Sequence, residues 1–139
     1  MADATARDVG EFGLIARVID RLGPSPSVLL GPGDDAAVVA TPDGRVVAST
    51  DVLVEGVHFR RDWSSAYDVG RKAAAANLAD VAAMGGTGTA LLVGLAAPAD
   101  LPVEWAMGLT DGLRDEAAVV GAVVVGGDVV RSEVLVVSV

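Results

Sequence analysis

Cysteine is absent from this chain of 139 residues, and there is only one histidine, His58, and one lysine, Lys72. The absence of cysteine excludes disulfides, thiolate zinc sites and cysteine nucleophiles, and a lone histidine argues against a zinc site built on several imidazoles. Aromatic residues make up only 4% of a chain that is 52% hydrophobic. We therefore expect one domain whose core is packed from small aliphatic side chains.

Positive charge is also scarce, since ten Lys and Arg face nineteen Asp and Glu and leave a net charge of -9. Nucleic acids and anionic membranes require a basic surface, so neither is an expected partner. The charge does not argue against anionic small substrates, because bound divalent cations would reverse the local field. The first ten residues lack an apolar signal core and no apolar run is long enough to span a bilayer, so we expect a cytoplasmic protein.

Apolar periodicity and turn residues predict the order helix, three strands, helix, strand, helix and two strands. The predicted helices cover residues 11–22, 64–84 and 103–120, and the predicted strands cover residues 28–30, 36–40, 45–49, 89–97, 122–125 and 134–139. An Asp43-Gly44 turn predicts a hairpin between the second and third strands. Helices on one face of a mixed sheet give an α+β two-layer sandwich.

The most informative residues are four acidic motifs beside small residues at the ends of apolar runs. They are Gly33-Asp34-Asp35-Ala36, Ser49-Thr50-Asp51, Asn77-Leu78-Ala79-Asp80 and Gly126-Gly127-Asp128. A carboxylate that loses water needs a cation or a hydrogen-bond donor, and hard cations such as Mg²⁺ prefer oxygen ligands. Glycine lets the backbone approach a phosphate closely. The motifs together indicate a site for a hard cation and a polyphosphate.

Each motif taken alone also has an ordinary structural explanation. These are an acidic turn at 34–35, a helix cap or Asx turn at 49–51, a solvent-facing side chain at Asp80, a hairpin tip at 126–128, and a structural role for His58. Asp80 is the hardest to explain in this way. It shares a helix face with Ala73, Asn77 and Met84 that we expect to pack closely, and the macrodipole disfavours negative charge near the C-terminus of a helix. The chain has no P-loop signature, so ATP would be bound outside that class.

In their order along the chain, the motifs resemble the N-terminal domain of thiamine-monophosphate kinase. Single pieces of the pattern recur in the wider superfamily of aminoimidazole ribonucleotide synthetase and selenophosphate synthetase. The residues that carry the resemblance are Gly10-Glu11-Phe12, 33–38, Ser49-Thr50-Asp51, 54–59, Lys72, 77–85 and Gly126-Gly127-Asp128.

The resemblance implies ATP- and Mg²⁺-dependent phosphorylation of thiamine monophosphate to thiamine diphosphate, with several Mg²⁺ ions. By matching positions, the implied metal ligands are Asp35, Ser49, Thr50, Asp51, Asp80 and Asp128. The implied ATP contacts are Gly127 and Asp128, and the implied substrate contact is His58. The family also implies a homodimer that pairs through the sheets. The acceptor is a phosphate oxygen that is largely ionised at neutral pH, so metal-assisted in-line transfer needs no catalytic base.

Two departures from the family pattern qualify this expectation. Val129 follows Asp128 where the family usually has threonine. The C-terminal domain of the family is not found in residues 1–139, and we expect these residues alone to turn over poorly. The alternatives are another ATP-dependent member of the superfamily, against which the substrate-side segment 54–59 argues, and a non-catalytic dimerisation module.

Overall fold

The computed structural model describes residues 4–33 and 35–139. Its helices are α1 (Ala6–Ile19), α2 (Ala66–Ala83) and α3 (Val103–Val119). Its strands are β1 (Val28–Leu30), β2 (Val38–Val39), β3 (Val52–Val54), β4 (Ala90–Ala97), β5 (Val123–Arg131) and β6 (Val136–Ser138). The predicted order of helices and strands is confirmed. The backbone of α1 is interrupted at Gly10, so the predicted start at Glu11 matches only the second part of this helix.

The main sheet has the strand order β3-β6-β4-β5, and it is mixed as predicted. Strands β4 and β5 are parallel, while β6 runs antiparallel to both β3 and β4. A parallel pair requires a long crossover connection, and α3 provides it here. Strands β1 and β2 form a separate antiparallel pair. The fold is therefore α+β, with β3 at one edge of the main sheet and β5 at the other.

Alternate residues of the main sheet divide it into a covered face and an open face. Leu53, Leu95 and Val137 are buried in the same hydrophobic core as residues of α2 and α3. On the other face, which we call the open face, Leu92 is 62% exposed and Val52 is 47% exposed. Because successive residues of a strand point to opposite sides, the helices cover one side of the sheet within this chain.

Helices α2 and α3 approach each other closely at two glycines. A Cβ at Gly70 would lie 2.2 Å from the carbonyl oxygen of Leu109, and a Cβ at Gly112 would lie 2.1 Å from that of Tyr67. Only glycine permits such a backbone contact, so these two residues determine how closely the helices pack. The contact fixes the position of α2, whose later turns carry the predicted site residues.

The third predicted strand was wrong in position. Residues 45–50, which the structure describes, have no regular secondary structure, and the Asp-Gly turn closes only a local bond from Gly44 N–H to the Thr41 carbonyl. Strand β2 pairs instead with β1, and the third strand begins at Val52, where β6 supplies its partner. Long-range pairing outweighs the local turn signal here.

The loop predicted at Gly126-Gly127-Asp128 was also wrong, because these residues lie inside β5. Parallel pairing with β4 continues through them, with Gly126 opposite Leu92 and Asp128 opposite Gly94. The register of the pairing shifts between Leu91 and Leu92, just before Gly126. The strand partner, which a pattern along one segment does not reveal, extends β5 beyond the apolar run. In the described part of the chain, no helix is both long and apolar enough to cross a membrane.

Candidate functional site

Two segments that are distant in sequence meet at the start of β3. The Ser49 hydroxyl donates a hydrogen bond of 3.3 Å to Asp80 Oδ2, and the Asp51 N–H donates one of 3.0 Å to Asn77 Oδ1. Asn77 is only 4% exposed, and its Nδ2 donates to the carbonyl of Ala73 at 2.9 Å. We call Ser49, Asp51, Asn77 and Asp80 the β3–α2 junction. It brings together two of the predicted acidic ligands and one predicted hydroxyl ligand.

The carboxylates of Asp51 and Asp80 are exposed at this junction. The expectation that Asp80 lies on a closely packed helix face was wrong, because α2 leaves the core after Leu78 and Met84 is 75% exposed. Neither carboxylate forms an ion pair with an arginine or lysine in residues 4–33 and 35–139. Two acidic groups therefore share one region with a hydroxyl and without a protein counter-ion, which suits a hard cation.

Thr50 lies on the opposite side of its segment from Asp51. Its hydroxyl is 3.4 Å from the Ser138 hydroxyl, and Ser138 pairs with Val52 on the open face. Asp51 exchanges backbone hydrogen bonds of 3.1 Å with Val139, so this segment already has the alternation of a strand. The structure thus separates the Thr50 hydroxyl from the Ser49–Asp80 pair.

Asp128 lies on the open face, in the same row of residues as Ser138. It is opposite Gly94 of β4, and Gly94 is in turn opposite Ser138 of β6. Two strand spacings separate Asp128 from Ser138, which is about 10 Å. The Asp128 carboxylate is exposed and accepts the N–H of Val129 at 2.9 Å. Asp128 and Thr50 therefore share a face but are not in contact.

Gly127 has a structural requirement of its own. A Cβ at this position would lie 1.8 Å from the carbonyl oxygen of Val93, whereas at Gly126 the nearest atom, Leu92 Cδ2, would be 3.4 Å away. Only the second glycine of the motif is therefore needed for the close approach of β4 and β5.

Asp35 is exposed in the loop between β1 and β2, and its neighbour Asp34 lies outside the described residues. Among the described residues there is no group of three or more acidic or histidine side chains that could hold a metal ion. The six predicted metal ligands fall into three places, namely the β3–α2 junction, the open face and the β1–β2 loop. Their metal-binding roles stay predictions.

His58 lines a cavity of about 410 Å³ formed by residues 56–60, Trp63, Ser64, Asp68, Val69 and Lys72. The Arg60 guanidinium lies 4.5 Å above the ring of Trp63, and Lys72 donates a hydrogen bond to the carbonyl of His58. Sequence reasoning singled out His58 but missed Trp63 and the contact with Lys72.

With this geometry established, comparison with known proteins assigns the family. Residues 33–139 match the family described as AIR synthase related protein, N-terminal domain. This chain belongs to that family.

This AIR synthase related domain is similar to curated thiamine-monophosphate kinases. It is 52% identical over 135 residues to the enzyme of Mycobacterium tuberculosis, in a match that covers 97% of this chain and 40% of that relative. It is 42% identical over 124 residues to the enzyme of Escherichia coli, covering 88% of this chain and 38% of that relative. The resemblance inferred from the motifs is confirmed, and the chain spans about 40% of the length of these relatives.

Solved structures support the same family and fold. The crystal structure of thiamine-monophosphate kinase from Stenotrophomonas maltophilia superimposes with a TM-score of 0.71 at 32% identity, covering 90% of this chain and 38% of that one. AaThiL complexed with AMPPCP and TMP gives a TM-score of 0.67 at 34% identity, covering 95% of this chain and 41% of that one. The α+β architecture with a mixed sheet agrees with both.

Proposed function

We propose that this chain is the N-terminal, Mg-nucleotide-binding domain of a thiamine-monophosphate kinase, which transfers the terminal phosphoryl group of ATP to the phosphate of thiamine monophosphate. The observation that carries the proposal is the β3–α2 junction, where the Ser49 hydroxyl bonds to Asp80 and the Asp51 N–H bonds to Asn77, one helical turn before Asp80. The 52% identity to a thiamine-monophosphate kinase supports this reaction and these substrates.

The junction fits Mg²⁺ in the type of its donors, which are all oxygen atoms. Magnesium is usually held through one or two protein carboxylates together with substrate phosphates, so a cage of three carboxylates is not required. Asp51, Asp80 and the Ser49 hydroxyl would hold such an ion. When bound, Mg²⁺ neutralises charge on the reacting phosphates. Several ions are part of the proposal, with Asp35, Thr50 and Asp128 as the further ligands.

The task left to the protein side chains is to bind and orient two anions. The acceptor oxygen belongs to a phosphate monoester that is already ionised at neutral pH, so no side chain has to remove its proton. We assign Gly127 and Asp128 to the phosphates of ATP and His58 to thiamine monophosphate. AaThiL was solved with AMPPCP, an analogue of ATP, and with TMP, which supports binding of both reactants.

We further propose that two copies of the chain pair through the open face. Leu92 is 62% exposed there, Val130 48% and Val52 47%, which is unusual for large aliphatic side chains of a sheet. Pairing would bury these residues and bring Thr50 and Asp128 close to a subunit interface. We place the reaction in the cytoplasm.

The chain spans about 40% of the length of its curated relatives. We propose that the remaining contacts to ATP, metal and thiamine come from a further C-terminal domain. Residues 1–139 alone should then bind Mg-nucleotide weakly and turn over poorly. Robust kinase activity from these residues alone would contradict this division of the site.

The test of the function is formation of ADP by a full-length enzyme that carries this chain. Activity should require both thiamine monophosphate and Mg²⁺, and Asp51→Asn or Asp80→Asn should lower kcat/KM about 100-fold or more. Asp100→Asn, an exposed residue outside the proposed site, is the matched control and should retain activity. ATP turnover that ignores thiamine monophosphate would instead indicate another member of the superfamily. Dimers that bind no Mg-nucleotide would indicate a dimerisation module.

A further inference from the structure

The only lysine of the chain contacts its only histidine. Lys72, on α2, donates from Nζ to the backbone carbonyl of His58 at 2.5 Å. Nineteen acidic residues are present in the sequence, yet Lys72 forms no ion pair within the part of the chain that the structure describes. The ammonium group is therefore directed at one peptide group and not at a carboxylate.

The imidazole of His58 is held by a second backbone contact. The Val54 N–H donates to His58 Nδ1 at 3.0 Å, and the Val54 carbonyl accepts from the His58 N–H at 2.9 Å. A ring nitrogen that accepts a hydrogen bond carries no proton, so the neutral imidazole has its proton on Nε2. His58 then presents a single donor, the Nε2–H.

The residues around His58 fix the loop on both sides. Phe59 is 7% exposed and stacks on Trp105 with a centroid distance of 6.3 Å. Glu55 and Arg61 form an ion pair of 2.6 Å across the loop. Lys72 holds the peptide between these two anchors, so it determines the orientation of the His58 carbonyl and of the side chain attached to the same residue.

His58 and Lys72 lie at the other end of β3 and α2 from the β3–α2 junction. Val54 lies three residue steps after Asp51 along extended chain, which is about 10 Å. Asp80 lies eight residue steps after Lys72 along α2, which is about 12 Å. The cavity at His58 and the β3–α2 junction therefore lie at opposite ends of the surface that β3 and α2 form together. A substrate with a phosphate at one end and a heteroaromatic ring at the other can span it.

We propose that Lys72 is a positioning residue for His58, and that the His58 Nε2–H donates to an acceptor nitrogen in the ring end of thiamine monophosphate, remote from its phosphate. This inference rests on the proposed function and assigns the direction in which the substrate lies. Lys72 acts through His58, and its loss removes the orientation of the donor, not the donor itself.

Steady-state kinetics of the full-length enzyme test the positioning role. Lys72→Met should raise KM for thiamine monophosphate about tenfold, the loss expected for one hydrogen bond, and leave KM for MgATP unchanged. Lys72→Arg should restore most of the affinity, because a guanidinium also donates to a carbonyl. Arg71→Met removes the neighbouring cation, which pairs with Glu116, and should leave both constants unchanged.

A double-mutant cycle separates positioning from an independent contact. Lys72→Met should add nothing to the effect of His58→Ala, because Lys72 acts only through the imidazole donor that His58→Ala removes. Thiamine, which lacks the phosphate, is the probe for the ring end, and Lys72→Met should raise its inhibition constant by the same factor as KM. Additive effects in the cycle would overturn the proposal. So would a Lys72→Met variant in which the inhibition constant of inorganic phosphate rises and that of thiamine does not.

An NMR measurement tests the geometry apart from any activity. Residues 1–139 contain a single histidine, so isotope-labelled histidine reports only the two ring nitrogens of His58. We expect the proton on Nε2 in the wild type, a mixture of tautomers in Lys72→Met, and recovery in Lys72→Arg. A proton on Nδ1 in the wild type would overturn the inference. An inactive full-length enzyme with the expected tautomer would instead count against the proposed function alone.

Discussion

The hydroxyl of Ser49 donates a hydrogen bond of 3.3 Å to the carboxylate of Asp80 across 31 residues of sequence. Together with the Asp51–Asn77 bond, this contact ties the start of β3 to the last turns of α2. The relative position of the two carboxylates therefore depends on polar contacts between the segments and not on either segment alone. Changes at the buried partner, Asn77, should alter both stability and metal-nucleotide binding.

Asn77→Ala should lower the free energy of unfolding by about 1–3 kcal/mol, because it removes both hydrogen bonds of the buried Asn77 side chain and leaves the Asp51 N–H with only its bond to the Val139 carbonyl. It should also weaken MgATP binding, because Asp51 loses its hydrogen bond to α2. Thr110→Ala is the matched control. Thr110 is 5% exposed and makes the same kind of bond to the residue four positions earlier, but on α3.

Urea denaturation and calorimetric titration with MgATP measure the two effects separately. The control should lose stability without losing affinity for MgATP. Equal losses of affinity in Asn77→Ala and Thr110→Ala would show that Asn77 has no special connection with the junction.

Gly127→Ala should destabilise the fold by about 1–3 kcal/mol, because the new Cβ would collide with the carbonyl of Val93 and force β4 and β5 apart. The adjacent change Gly126→Ala has room for its Cβ, 3.4 Å from Leu92, and should have a much smaller effect. Thermal melts of the two variants provide the comparison. If both glycines tolerate alanine equally, the inference that Gly127 is required for the close approach of β4 and β5 is wrong.

The order of elements follows from local patterns, but the pairing of strands does not. The Asp43-Gly44 signal predicted a hairpin that is not formed. Strand β2 pairs with β1, and the third strand pairs with β6, in which Ser138 lies 86 positions after its partner Val52. The glycines of β5 were interpreted as a loop for the same reason, since the backbone of Val93 that they contact lies on another strand. Such partners are separated by whole elements, and no short window of sequence contains both.

For the candidate site, sequence identified residue types better than it identified contacts. Asp51 and Asp80 were both singled out and lie at one junction, but the reasoning assumed a closely packed carboxylate, and both are exposed. The role of Asn77 as the buried link was missed, because an asparagine on a helix gives no sign of its partner. The contact from Lys72 to His58 was missed because its acceptor is a backbone carbonyl, which every residue has and which the sequence therefore cannot distinguish.

Stability should fall in acid partly through the acidic end of α3. A hydrogen bond from Arg114 holds the pKa of Asp115 below its ordinary value. A carboxyl whose pKa is lower in the folded state stabilises the fold above its unfolded pKa of about 3.9, and that contribution is lost as pH falls through the folded value. Asp115→Asn should therefore flatten the loss of stability below about pH 4.

Urea midpoints measured from neutral to acidic pH test this sign. Asp100→Asn, at an exposed aspartate that forms no ion pair among the described residues, is the control and should leave the pH profile unchanged. A steeper acid loss in Asp115→Asn than in the wild type would contradict the assignment.

Pairing through the open face should be sensitive to a single charge. Leu92→Glu places a carboxylate among exposed aliphatic residues of β3 and β5 and should convert a dimer to a monomer. Val119→Glu provides the control, because Val119 is 74% exposed but lies at the end of α3 and away from the sheet. Sedimentation velocity distinguishes the two states. If Val119→Glu dissociates the dimer and Leu92→Glu does not, the interface does not lie on the open face.

Calorimetric titration of the protein with ATP, with and without Mg²⁺, tests the central claim most directly. The account predicts binding that requires Mg²⁺ and weakens about tenfold or more in both Asp51→Asn and Asp80→Asn, with Asp100→Asn unchanged. Binding of ATP that is independent of Mg²⁺, or equal affinity in all four proteins, would contradict it.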